Sequence, residues 1–125
     1  KIESKLLKLI QRLKPTKIFT HGKSMVHPDH RAVNQITMNL WEKLPKPKPE
    51  IYIYPVWSPM ALKDQHPILY EDISQTFSLK IKALKTFHSQ KTRAIYQLTL
   101  PIFYRAIVNG FKIKKRFAEK FYRIK

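Results

Sequence analysis

Apolar residues return along this chain at two intervals, and where the interval changes the element changes. In IESKLLKLIQRL (2–13), Ile2, Leu6, Leu7, Ile10 and Leu13 recur at helical spacing among basic residues, which predicts an amphipathic helix with one buried face. Lys14 ends it, because the proline that follows pushes it toward extended geometry. KIFT (17–20) is a short β-rich run closing on His21 and Gly22, so helix, tight turn and buried strand make half of a βαβ unit. HPDHRAVNQITMNLWEKL (27–44) has proline near a helix start, an acid in the first turn, and Ala32, Val33, Ile36, Leu40 and Leu44 on one side. PKPKP (45–49) stops this second helix as a stiff connector.

EIYIYPVW (50–57) alternates and is rich in β-branched and aromatic residues, which predicts a second strand ending at Pro55 or soon after. SPMALKDQHP (58–67) then reads as a loop at that strand's carboxyl end, where open α/β sheets keep their ligands. Phe77, Ile81, Leu84 and His88 fall at helical intervals and predict a helix over 75–88. Residues 92–109 predict another, bent or broken around Pro101, and 116–124 suits a final strand or helix. Helices alternating with strands, without a hairpin signal, specify an α/β fold with a parallel sheet.

At 125 residues the chain suits one domain, and 43% hydrophobic content with only two glycines favours an ordered, helix-rich core. No cysteine is present. Disulfides, thiolate zinc sites and cysteine nucleophiles are thereby excluded, and His, Asp and Glu remain as the strong metal ligands. Twenty-five Lys and Arg against eight Asp and Glu give a net charge of +17, a field that can steer polyanions or anionic surfaces. Basic residues occur in every third of the chain, with a moderate concentration in 110–125, so a solvated surface is the plainest reading. The longest apolar run, 94–111, is interrupted by Gln97, Pro101, Arg105 and Asn109. It falls short of the ~20 apolar residues of a membrane span. With no signal or transit pattern, a cytoplasmic location is expected, peripheral to a membrane if at all. The opening on Lys1, inside an amphipathic pattern, is that of a fragment or processed product.

The candidate chemistry lies in THGKSMVHPDHRAV (20–33), which holds three of the five histidines. His27 and His30 stand three apart at a helix entry, so both imidazoles can aim at one point, with Asp29 beside them. One helix start cannot supply a catalytic zinc sphere, which takes three protein ligands and an open position. His21, Asp64, His66 and Asp72 are the other loop donors, none in a recognised spacing, and a His-x-x-His pair also occurs as cap and surface residues. His21 suits a supporting partner or a plain turn residue, His66 a solvated one, and His88 a packed histidine. Tyr54, Trp57 and Met60 suit a pocket lining or the core.

THG…HPDHRAV resembles the second signature of the PIG-L/LmbE-like zinc-dependent N-deacetylases. LIQRLKPTKIFTHG (9–22) is similar to the family's helix, turn and strand leading to that signature; KIKALKTFHSQ (80–90) is similar to its K-x-x-A-L-x-x-H-x-S-Q helix, one residue short before the serine; RFAEKFYRI (116–124) is similar to its terminal A-E-x-F segment. The resemblance implies a Rossmann-like parallel sheet flanked by helices, with this chain as the carboxyl-terminal portion of the LmbE-like fold: one incomplete domain over 1–125. It implies that His30 is a ligand of zinc or another divalent metal. It also implies that His27 faces an N-acetylated sugar or glycoconjugate as oxyanion stabiliser or general acid, and that Asp29 tunes that imidazole. The family's first signature, A-H-P-D-D-E, carries the other ligands and the general base, and no such string occurs here. The chain would then hold half an active site and need a missing amino-terminal segment of the same domain as its partner.

Two other readings compete. A basic, non-catalytic module would bind nucleic acid or an anionic membrane surface through the +17 charge, although no helix-turn-helix, RNP or finger pattern marks specific nucleic-acid binding. Residues 94–125 would alternatively be an interfacial amphipathic anchor, compatible with the deacetylase reading. No sequence pattern here specifies an oligomeric state.

Overall fold

The computed structural model describes residues 2–23, 27–54, 66–86 and 96–125. The expectations for Trp57, Met60, Asp64, His88 and most of the 58–67 loop lie outside these residues. The elements in order are α1 (Ile2–Leu13), β1 (Lys17–Thr20), α2 (Pro28–Lys43), β2 (Glu50–Ile53), β3 (Ile68–Asp72), α3 (Phe77–Leu84), α4 (Tyr96–Lys112) and β4 (Ala118–Arg123). The α/β class is as expected. The four strands form one sheet in the order β1-β2-β4-β3. β1 and β2 are parallel, pairing Lys17 with Glu50 through to Thr20 with Ile53. β4 departs from the all-parallel expectation by running antiparallel to β2, with Tyr52 opposite Arg123 and Ile53 opposite Tyr122. Side-chain alternation is the same in either direction, so the strand pattern carries no information about it.

The chain divides into two compact units, residues 1–69 with 121–125, and residues 70–120. In the first, β2 is the buried strand: Ile51, Tyr52 and Ile53 are all core residues, joined by Leu40 and Leu44 from α2 and Tyr122 from β4. β1 is the edge of the sheet and is only partly covered, contrary to the buried strand expected. Its Phe19 stacks on Tyr52 at 5.5 Å and meets Phe121 edge-on at 4.8 Å, yet remains half exposed. The helix over 2–13 forms as its periodicity requires, but none of its residues is buried. Ile2, Leu6, Leu9 and Leu13 make a bare stripe on it. A Lys43–Glu3 ion pair of 3.3 Å links α1 to α2.

Lys14 does not extend as expected. Its φ is 45°, and its N–H donates to Ile10 at 2.8 Å, so α1 ends by reversing hand, as helices commonly do just past the carboxyl terminus. α2 is closed differently. The Lys48 ammonium donates to the carbonyls of Trp41 and Glu42 at 2.9 and 2.8 Å, placing a cation on the negative end of the helix dipole.

In the second unit Phe77 is buried between Phe117, stacked at 4.1 Å, and Phe103, edge-on at 4.8 Å. Ser74 ties the start of α3 down: its N–H and hydroxyl donate to Asp72 at 2.9 and 2.6 Å, and its oxygen accepts from Phe117 N–H at 3.2 Å. α4 is not broken at Pro101 and continues to Lys112. The helix expected over 75–88 is described from Phe77 to Leu84, and β3 occupies residues the pattern leaves unassigned.

Candidate functional site

The parallel register of β1 and β2 dictates the first contact of the site. Because Thr20 pairs with Ile53, the next residues of the two strands, His21 and Tyr54, emerge side by side at the carboxyl ends. The Tyr54 hydroxyl and His21 Nε2 lie 3.1 Å apart. In open α/β sheets this end of the strands is where ligands bind. Burial pushes the Tyr54 phenol above its ordinary value. It also lowers His21, with His30 beside it adding to the effect. His21 Nδ1 is buried without a hydrogen-bond partner among the described residues.

α2 brings the other two imidazoles to this end. His27 is its N-cap: Nδ1 accepts from the Asp29 N–H at 3.3 Å, and Pro28 occupies the first turn, where a missing N–H costs nothing. The Asp29 carboxylate also stands 3.6 Å from the same nitrogen. Nδ1 cannot accept from one group and donate to the other at once. The 3.6 Å separation of two exposed side chains is too long for a hydrogen bond, so the capping bond decides the geometry and assigns the ring the Nε2–H tautomer.

His30, one turn on, is partly exposed and lies flat on His21, with ring centroids 3.9 Å apart and planes 8° from parallel. Its ring is 5.1 Å from that of His27. The structure thus gathers His21, His27, His30 and Tyr54, and leaves Asp29 at the exposed rim. Asp72 belongs to the other unit, where it serves the Ser74 turn and a 3.4 Å ion pair with Lys115; His66 is partly exposed.

Asn34 is the residue sequence reasoning missed. It is buried, and its amide donates to the His21 carbonyl at 2.7 Å, fixing the segment that carries the His21 ring. One turn further, Thr37 meets Thr20 at 3.1 Å. His30, Asn34 and Thr37 stand at spacings of four and three, a polar row at helical period within an otherwise amphipathic helix. That row was the available signal. It takes the place of part of the expected apolar side, since Ala32 and Val33 are exposed while Leu40 and Leu44 are buried.

Among the described residues, no group of three or more His, Asp or Glu side chains is arranged to hold a metal ion. The stacked pair is unsuited to chelation: imidazole lone pairs lie in the ring plane, and two parallel planes cannot both direct one at a single atom. His30 by itself offers one donor. The donor set therefore fits a share of a metal site and not a whole one.

No family model matches the chain, and no curated protein matches it. Solved structures do. A conserved protein of Thermus thermophilus superposes with a TM-score of 0.73 at 22% identity, covering 98% of this chain and 57% of its own. The N,N′-diacetylchitobiose deacetylase of Pyrococcus horikoshii, in complex with an inhibitor, superposes with a TM-score of 0.65, also at 22% identity, covering 98% of this chain and 51% of its own. The chain therefore has the fold of part of these proteins and spans little more than half of their length.

Proposed function

We propose that this chain is the carboxyl-terminal part of a PIG-L/LmbE-like metal-dependent N-deacetylase that removes acetyl groups from N-acetylated sugars or sugar conjugates. The observation that carries the reading is His30. It sits partly exposed on the first turn of α2, at the carboxyl end of two parallel strands, beside two further imidazoles, in a fold shared with a diacetylchitobiose deacetylase.

His30 would contribute one ligand to zinc or another divalent ion, and the remaining ligands would come from an amino-terminal segment outside these 125 residues. The uncovered edge of β1, the half-exposed Phe19 and the bare stripe on α1 supply a surface for such a segment. When bound, the metal would provide an activated water and polarise the amide carbonyl. His27 would serve the substrate side. Its Nδ1 is committed to the helix cap, which leaves the Nε2 proton for the oxygen that becomes an oxyanion as water adds to the amide. Asp29 positions that ring through its backbone N–H.

The experiment is acetate release from an N-acetylglucosaminyl substrate by the full-length protein. Activity should require a divalent metal, stop on chelation and return with zinc. His30→Ala should abolish both activity and stoichiometric metal binding, whereas His27→Ala should keep the metal and lose roughly 10²–10³ in kcat. A full-length protein that takes up no divalent metal would end the proposal.

A further inference from the structure

Helix α4 turns a continuous apolar row away from its own packing face. Leu100, Tyr104, Ile107 and Phe111 follow at spacings of four, three and four, so they lie along one line of the helix. They are 78%, 69%, 47% and 85% exposed, with Val108 exposed by a little over a third beside them. The row is about 16 Å long at the helical rise per residue. The packing face is a different one: Phe103 meets Phe77, and Ala106 and Gly110 are buried. Scattered exposed apolar residues are ordinary, but an aligned row of this size marks a contact surface.

The sequence around the row is basic. From residue 73 to residue 118 there is no acidic side chain, and there are ten Lys and Arg. Lys112, Lys114, Lys115 and Arg116 are all exposed at the carboxyl end of the row. The two acids that bound this stretch are already engaged, Asp72 with Lys115 and Glu119 with Lys80.

We propose that α4 is an interfacial anchor that lies along an anionic lipid surface. Leu100, Ile107, Val108 and Phe111 enter the boundary between headgroups and acyl chains, Tyr104 sits at headgroup level, and the basic residues following Phe111 meet the lipid phosphates. A second copy of the chain is a poorer occupant, because joining two such rows brings together two basic segments with no acid to pair them. A nucleic acid is poorer too. Its phosphates would engage the lysines but leave the aliphatic row in water. The inference uses none of the histidine site, and it requires that the amino-terminal segment of the deacetylase reading cover β1 and α1 and leave α4 bare.

The test is flotation of the full-length protein with phosphatidylcholine vesicles, with and without phosphatidylglycerol. Partition should favour the anionic vesicles by roughly tenfold or more and weaken with added salt. Leu100→Ser with Phe111→Ser should cut partition roughly tenfold while leaving the circular dichroism spectrum unchanged, because both side chains are exposed. Lys114→Glu with Arg116→Glu should reduce the preference for anionic over neutral vesicles. The proposal is overturned by absent binding, by equal binding to both vesicles, or by undiminished binding of the serine variant, which would mean diffuse charge attraction. A dimer that the serine variant dissolves, or polynucleotide binding that depends on Leu100 and Phe111 while vesicle binding does not, overturns it equally.

Discussion

The imidazole of His21 lies flat on that of His30, 3.9 Å between ring centroids, while its Nε2 is held by the Tyr54 hydroxyl at 3.1 Å. His21 thereby sets the plane of the ring proposed to face the metal. His21→Ala should release that ring, move the His30 proton resonances toward those of a free imidazole, and cost about 1–2 kcal/mol of stability from the lost ring contact and hydrogen bond. His21→Phe should restore most of the His30 shift by keeping the stack. Identical His30 spectra in the native protein and His21→Ala would show that the contact is not formed in solution.

The buried Asn34 amide donates to the His21 carbonyl at 2.7 Å, so truncation removes the donor and leaves that acceptor unmet. Asn34→Ala is expected to cost about 1–3 kcal/mol. In urea unfolding it should lower the midpoint without changing the slope. Asn34→Leu, which keeps the branched shape and the number of heavy atoms but cannot donate, should fall in the same range; near-native stability of that variant would assign the role to packing instead.

Acid should act on the second unit through Asp72. The Ser74 hydroxyl, then the Ser74 N–H, and further the Lys115 ammonium hold its carboxyl below the usual value of 3.8. The folded value is thus lower than the unfolded one. The associated stability is complete above the unfolded value and is lost as pH falls through the folded value. The gap in unfolding midpoint between the native protein and Asp72→Asn should therefore be widest near neutrality and close in strong acid. A gap independent of pH would refute the assignment.

Gly110 is required by a close approach. A Cβ there would stand 2.6 Å from the Lys115 carbonyl oxygen and 2.9 Å from the Arg116 carbonyl carbon and oxygen, all backbone atoms that cannot swing aside. Lys115 N–H donates to the Gly110 carbonyl at 2.9 Å, so the turn is tied to the helix at this point. Gly110→Ala should lose about 1–3 kcal/mol to overpacking. That outweighs the roughly 1 kcal/mol alanine gains from helix propensity. Thermal unfolding should shift down by several degrees; an unchanged or raised midpoint would mean the turn opens at little cost.

Where sequence reading failed, the missing information was non-local. The spacing of Ile2, Leu6, Leu7, Ile10 and Leu13 defines a helix, but whether its face is covered depends on what lies beside it, and here much of the face is open. Ile68–Asp72 ends in two acids and shows too little alternation to declare a strand; it becomes one by hydrogen bonding to β4. α4 runs on past Pro101, although proline removes one backbone donor from the helix.

The sequence by itself determined the helices over 2–13 and 27–44, the strand at 17–20, the start of a strand at residue 50, which ends at Ile53 and not at Pro55 as the pattern predicts, and the placing of His27 and His30 at a helix entry, because periodicity, capping and proline act within a few residues. Only the tertiary structure decided that His21 stacks on His30, that Tyr54 and Asn34 hold His21, that β4 runs against β2, and that α4 leaves an apolar row uncovered. Tyr54 is thirty-three residues from His21 and Asn34 thirteen. Contacts at such separations are set by strand register and helix docking, and no local pattern of side chains encodes them.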